Sequence, residues 1–361
     1  MAKTTRKLPW WRLILGGALC AGAIALAGGH GANAEERFDG MTLRVATWGG
    51  SWRDRIQELI GSELEKRGAK VEYVIGNALE NFNKLVAARG QKPPFDVMEF
   101  QSDLWKPLLD SGFLMPLPYA SIPNAAGLGG TQKGKETVST WTLEEGVVYN
   151  AAKFKELGLA KPTRYSDLFN SKLAGRIAWP DISYGPYALI GLSTESGGDE
   201  LNVDPGLKRL KEANVGYFYR SSVELSTKFA SGDVWAAPWH AGWALRVSRT
   251  GVPLAMAFPQ VKDRKGVIAS GMVGIVKGTE VPAAAEFFVN RYLSPEVQEA
   301  LGRANGVAPV NPAALAAMQK DPKLAELMLL TPQSIGEAYA INWSKIDLAS
   351  IIDKWNHEML R

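Results

Sequence analysis

The sequence has one cysteine, Cys20, and three histidines, His30, His240 and His357, in 361 residues. A single thiol excludes an internal disulfide, so the core must hold the fold without one. Three histidines are too few for a histidine-rich metal site. No His-Glu-x-x-His zinc helix occurs, and no Gly-x-Ser-x-Gly nucleophile elbow. Gly129 to Lys135 reads G-x-x-x-x-G-K, but Glu136 stands where a phosphate loop carries Ser or Thr. Thr137-Val138 then leads into a strand pattern, so no helix would point its N–H groups at a phosphate. These absences leave little for an enzyme, and no cofactor or metal site is expected.

A basic excess is also missing once the N-terminus is set aside. The chain carries 41 Lys+Arg against 37 Asp+Glu. Lys3, Arg6, Lys7 and Arg12 account for the whole excess and stand in a stretch without acids. Balanced charge beyond that stretch gives no broad field for nucleic acid. The basic start is followed by an apolar run from Leu13 to Ala27 and then by Ala32-Asn33-Ala34. That order is expected to be a signal peptide over residues 1–34, cut before Glu35, with the mature protein in the periplasm. The apolar run is short for a membrane anchor and ends in Gly28-Gly29. Cys20 follows Leu19, where a lipid-attachment signal carries Gly, Ala or Ser.

What remains alternates short strands with helical spacing. Leu43 to Trp48, Val71 to Ile75 and Asp96 to Phe100 read as strands. Ile56, Leu59, Ile60 and Leu64 form one helical face before Gly68, and a helix is expected from near Ser102. This βαβαβ order implies a parallel sheet with helices on its faces. The pattern resumes with a long strand at Thr140–Asn150 and shorter ones at Ile177–Trp179, Gly216–Tyr219 and Val234–Trp239. Another long strand is expected at Ala269–Lys277, followed by mostly helical sequence after Pro282. No flexible linker divides the chain, so two α/β lobes should be joined by crossing strands, with a cleft where strand ends converge.

Tryptophan is abundant, with 12 residues, of which Trp10 and Trp11 lie in the leader. Trp48 ends the first strand and is followed by Gly49-Gly50, where the backbone can approach a ligand closely. Trp239-His240-Ala241-Gly242-Trp243 also ends a strand and opens a helix. An aromatic wall there could stack on a planar group or hold a cation.

The chain resembles the family 1 extracellular solute-binding proteins of bacterial ABC importers, particularly the spermidine/putrescine-binding branch. The resemblance rests on Val45 to Gly50, Phe95 to Met98, Gly146 to Asn150, Phe229 to Gly232, Leu293 to Gln298, Asn342-Trp343 and Lys354 to Asn356. It implies a two-lobe α/β periplasmic-binding-protein fold of type II, with the ligand cleft between lobes. The lobes are expected over 35–145 with 271–315, and 146–270 with 316–361, hinged near Glu144–Val148 and Ala269–Met272. It also implies a permease and its ATPase as partners, a small-molecule ligand, and a monomer without nucleic acid.

By the same resemblance, Trp48 and Trp239 match the family's two aromatic walls. Ile182, Gly185 and Gly271 stand where it places acids, and Val307 and Ala269 replace two further aromatics. The expected ligand-contacting set is Trp48, Gly49, Gly50, Gln101, Ser102, Asp103, Glu144, Asp181, Tyr184, Trp239, His240, Gly271, Met272 and Trp343. A polyamine-like amine, an amino-acid derivative or an organic acid all fit this set. The other readings are a secreted enzyme on the same fold and a ferric-ion-binding protein, although the ferric proteins carry paired tyrosines where this chain has Pro238-Trp239-His240.

Overall fold

The computed structural model describes residues 36–359. The signal peptide expected over 1–34, and Cys20 within it, lie outside the described residues. Among those residues no helix is long and apolar enough to cross a membrane.

Apolar alternation sets the first three strands. β1 (Thr42–Thr47) buries Leu43 and Val45 completely and pairs in parallel with β2 (Lys70–Ile75) and β3 (Val97–Gln101). Between β1 and β2 a continuous helical run from Ser51 to Lys66 contains a wider π segment at Gln57–Gly61. Trp52, Ile56, Ile60 and Leu64, spaced four apart, turn inward along it. The helix Ala78–Ala87 begins with a capping box, Asn77 and Glu80 satisfying each other's backbone N–H groups.

β4 (Val138–Asn150) is 13 residues long and buried except at its last residue. It is followed by β5 (Ala178–Pro180), β6 (Tyr217–Tyr219), β7 (Ala236–His240) and β8 (Leu254–Ala257). A small hairpin, β9 (Gln260–Val261) and β10 (Arg264–Lys265), precedes the second long strand, β11 (Val267–Ile275). Two short strands complete the set, β12 (Ala308–Pro309) and β13 (Tyr339–Ala340). The main sheet runs β12-β4-β11-β3-β1-β2, with β13 beside β11 and with β7 and β8 beside the far end of β4; β5 and β6 pair separately in parallel.

The two long strands do what the absence of a linker required. β4 pairs with β11 from Val138 to Glu145, and with β7 from Glu145 to Tyr149. Glu145 is the changeover residue, opposite Val267 on one side and His240 on the other. β11 likewise joins β3 through Gly271–Ile275 and β4 through Val267–Val273. Among the described residues, 37–359 form one compact unit, with β4 and β11 shared among its strand pairings. The segment after Pro282 is mostly helical, beginning with Pro282–Tyr292 and Pro295–Asn305.

Candidate functional site

Two cavities open beside the crossing strands. The first, about 620 Å³, is lined by Asp103 and Leu104, by Asp181 to Pro186, by Arg220 and by the final helix at Leu348, Ile352 and Asn356. The second, about 570 Å³, is lined by Gly49 to Trp52, Trp141, Leu143, His240, Trp243, Arg246, Asn305 and Val307. Trp48 and Gln101 line both, so the cavities are two chambers of one cleft. Each chamber takes residues from before β4 and from after it.

The second chamber has an aromatic wall. Trp48, Trp52 and Trp141 meet pairwise with ring centroids 5.6–5.9 Å apart and tilted or edge-on planes. Trp52 is fixed from behind: its indole N–H donates to the buried Glu99 carboxyl at 3.3 Å, and Thr47 and Tyr292 hydroxyls bond the same carboxyl. Burial raises Glu99 above the usual carboxylate range. Gly50 brings the chain into the helix with φ 64°, a conformation open to glycine. Gly271 makes room for the wall, since a Cβ there would overlap the Trp141 ring.

Facing this wall, Phe229, Trp239 and Trp243 stack in parallel, with planes within 13°. The Arg246 guanidinium covers the outer face of the stack, 4.6 Å from the Trp243 ring centre. Its Nη2 donates to Asn305 Oδ1 at 2.9 Å. Among the described residues no carboxylate lies within ion-pair distance of Arg246. Burial, then the nearby Arg246 charge, pushes His240 down to about 3, so it is neutral.

The first chamber is acidic. Asp181 accepts from Ser183 N–H at 3.0 Å and from its hydroxyl, and lies 3.5 Å from Arg220. Asp103 accepts a backbone N–H from Leu104 and has no cationic partner among the described residues; burial pushes it up to about 6. Tyr184 bonds the Ser222 hydroxyl and lies parallel to His240.

The structure thus brings together Trp48, Gly49, Gly50, Gln101, Asp103, Asp181, Tyr184 and His240 from the expected set. Others stand elsewhere. Trp239 is fully buried inside the stack, its N–H bonded to Ser222, and lines neither chamber; Trp243 presents the ring instead. Glu144 is fully buried with neither carboxyl oxygen hydrogen-bonded and lies outside both chambers. Side chains alternate along a strand, and it is Glu145 that comes within electrostatic reach of Tyr165, Tyr184, Tyr187 and Tyr219. Ser102 accepts from the Ser270 N–H, and Met272 packs in the core beside β3. Gly271 supports Trp141 from behind, and Trp343 packs edge-on against Tyr187. Sequence reasoning missed Trp52, Trp141, Arg246 and Asn305, and placed Trp243 in the aromatic junction without adding it to the expected set. The available signal was the i, i+3 spacing of Trp243 and Arg246 after a strand.

The profile of the bacterial extracellular solute-binding proteins matches residues 63–326. The chain belongs to that family. A comparison with curated proteins finds no match. Among solved structures, an ABC transporter substrate-binding protein from Bradyrhizobium japonicum USDA 110 is similar with a TM-score of 0.74 at 19% identity, over 88% of this chain and 99% of that one. The periplasmic binding protein AgtB from A. tumefaciens R10, in complex with agropinic acid, gives 0.70 at 18% identity, over 90% and 100%. The Atu4243 GABA receptor gives 0.70 at 19% identity, over 87% and 96%. Such identities show the fold, which is the two-lobe fold of periplasmic binding proteins. By its family the chain is a bacterial extracellular solute-binding protein.

Proposed function

We propose that this solute-binding protein is exported to the periplasm by the signal peptide at 1–34 and captures a small organic solute in the two-chambered cleft. The lobes, 35–145 with 271–315 and 146–270 with 316–361, close about β4 and β11 and carry the solute as a monomer to a permease driven by its ATPase. The role is binding without turnover. The observation that carries this reading is the sharing of Trp48 and Gln101 by two chambers whose walls come from both sides of β4. Closing such a cleft would bury the solute against aromatic faces from both sides.

Within the range of amine, amino-acid derivative and organic acid, the cleft favours a ligand with a carboxylate over a polyamine. A polyamine needs a partner for each ammonium group, and burying an unpaired charge costs several kcal/mol. Arg246 would oppose an ammonium group in the second chamber, and Asp181 is already engaged with Arg220. The similar structures described with agropinic acid and as a GABA receptor point toward small acids as well.

A thermal-shift screen of small metabolites, followed by small-angle scattering with each hit, tests the reading. A hit should raise the melting temperature by mass action and reduce the radius of gyration. An unchanged radius with a tightly bound hit would defeat hinge closure, and product formation from that hit would defeat binding without turnover.

A further inference from the structure

The two chambers differ in charge, and the difference follows from individual residues. The lining of the second chamber includes one cation, Arg246, and no acid. Its guanidinium is held in place by Asn305 and by the face of Trp243, with no neutralising carboxylate. The lining of the first chamber includes two acids and one base, but Asp181 and Arg220 pair with each other. Asp103 is left with only its local backbone donor. Between the two poles lie Trp48, which offers an apolar face, and Gln101, which offers an amide.

We propose that the ligand is a zwitterion whose carboxylate pairs with Arg246 and whose protonated amine, some carbons away, pairs with Asp103, the connecting chain lying across Trp48. This rests on the reading of the cleft as the solute site and adds the ligand's charge pattern and orientation. An arginine fork binds a carboxylate through two parallel hydrogen bonds, which fixes direction as well as charge. A carboxyl group that lines the cleft without a cation, as Asp103 does, gains most from an ammonium partner that enters with the ligand. Each pole also rejects the wrong charge. A diamine would place an ammonium against Arg246, and a dicarboxylate would place a second anion between Asp103 and Asp181; like charges in a poorly solvated cleft are strongly unfavourable.

The test uses the full mature chain, dialysed free of co-purified solute, and isothermal titration calorimetry. The probes are unbranched ω-amino acids from β-alanine to ε-aminocaproate with, at each length, the matching diamine, monocarboxylate and dicarboxylate. At one length or more, the amino acid should bind at least tenfold tighter than its three partners. Arg246→Gln should abolish its advantage over the diamine, and Asp103→Asn its advantage over the monocarboxylate, with the unliganded melting temperature of both variants close to the parent's. Equal binding of a diamine or a monocarboxylate across the series would overturn the assignment. So would the failure of every amino acid to bind, or an affinity that neither substitution changes. A solute of another charge type that closes the lobes would leave the importer role standing and sink only the zwitterion.

Discussion

Trp239 and Trp243 lie parallel, their ring centroids 6.0 Å apart and their planes 13° apart, and of the two only Trp243 lines the cleft. Phe229 lies under Trp239 at 5.5 Å, so a column of three rings runs from the interior to the Arg246 guanidinium. The inner ring holds the column together and the outer ring is open to the cleft.

Different outcomes are therefore expected from substituting the two tryptophans. Trp243→Ala should weaken binding of the solute found by screening at least tenfold and move the melting temperature little. Trp239→Ala removes a fully buried indole and should cost about 3–5 kcal/mol in urea unfolding. Trp48→Ala belongs with Trp243→Ala, because Trp48 lines both chambers. Equal stability losses for Trp239→Ala and Trp243→Ala would contradict this division.

Glu145 should give the ligand-free protein a stability that declines toward alkaline pH. Burial pushes its carboxyl up to about 8 from an ordinary 4.5. It lies near Tyr165, Tyr184, Tyr187 and Tyr219, with His240 opposite in register and Glu144 beside it in sequence. A folded-state value above the unfolded one means that the folded protein keeps the proton longer. The stabilisation is complete below the unfolded value and is lost as pH rises through the folded one. Asp103 adds the same sign in a lower window, up to about 6, and Glu144 is raised in the same direction. His240 acts oppositely below its ordinary 6.5, where unfolding lets it take up a proton. Thermal melts should show the parent losing several degrees between roughly pH 6 and pH 9, and Glu145→Gln losing clearly less. Parallel curves for the two proteins would remove Glu145 as the cause.

The Glu99 carboxyl holds the aromatic wall from below. Glu99→Ala strands the Trp52 indole N–H and the Tyr292 hydroxyl in the core, each at a cost of about 1–3 kcal/mol. Glu99→Gln keeps an acceptor and should lose less. Chemical unfolding, together with the Trp fluorescence of the folded state, checks the order. A Gln variant less stable than the Ala variant would argue against hydrogen bonding as the reason for an acid here.

Gly271 is a steric requirement of the wall. Gly271→Ala should displace Trp141, lowering both the melting temperature and the solute affinity, because the added Cβ overlaps the indole. Gly271 is not in the left-handed region, so the overlap with the indole is the reason for a loss there. An unchanged melting temperature and an unchanged affinity would leave Trp141 out of it.

Much of the architecture was legible because it depends on local patterns. Two-residue alternation marks β1 and β2, and the long apolar runs are β4 and β11, within a few residues of their expected ends. Gly49-Gly50 after Trp48 line the second chamber. The charge balance, the lone Cys20 and the leader pattern were likewise set by order and composition alone.

Which tryptophan faces the cleft, and to which side each glutamate of β4 packs, depended on facts no single segment contains. Trp239 and Trp243 are equally apolar and both stand at a strand–helix junction; the packing of Phe229 from another helix takes the first into the core. Glu144 and Glu145 are neighbours in one buried strand, and the pairing of β4 with β7 and β11 decides which side each faces. Arg246 reads as an ordinary last-turn base until the fold places it in a chamber without acids. The sequence determined the strands and the helices, since each is specified by spacing along the chain. The charged poles of the cleft were decided by tertiary structure, because they depend on which side chains from distant segments are left without partners once the others have packed.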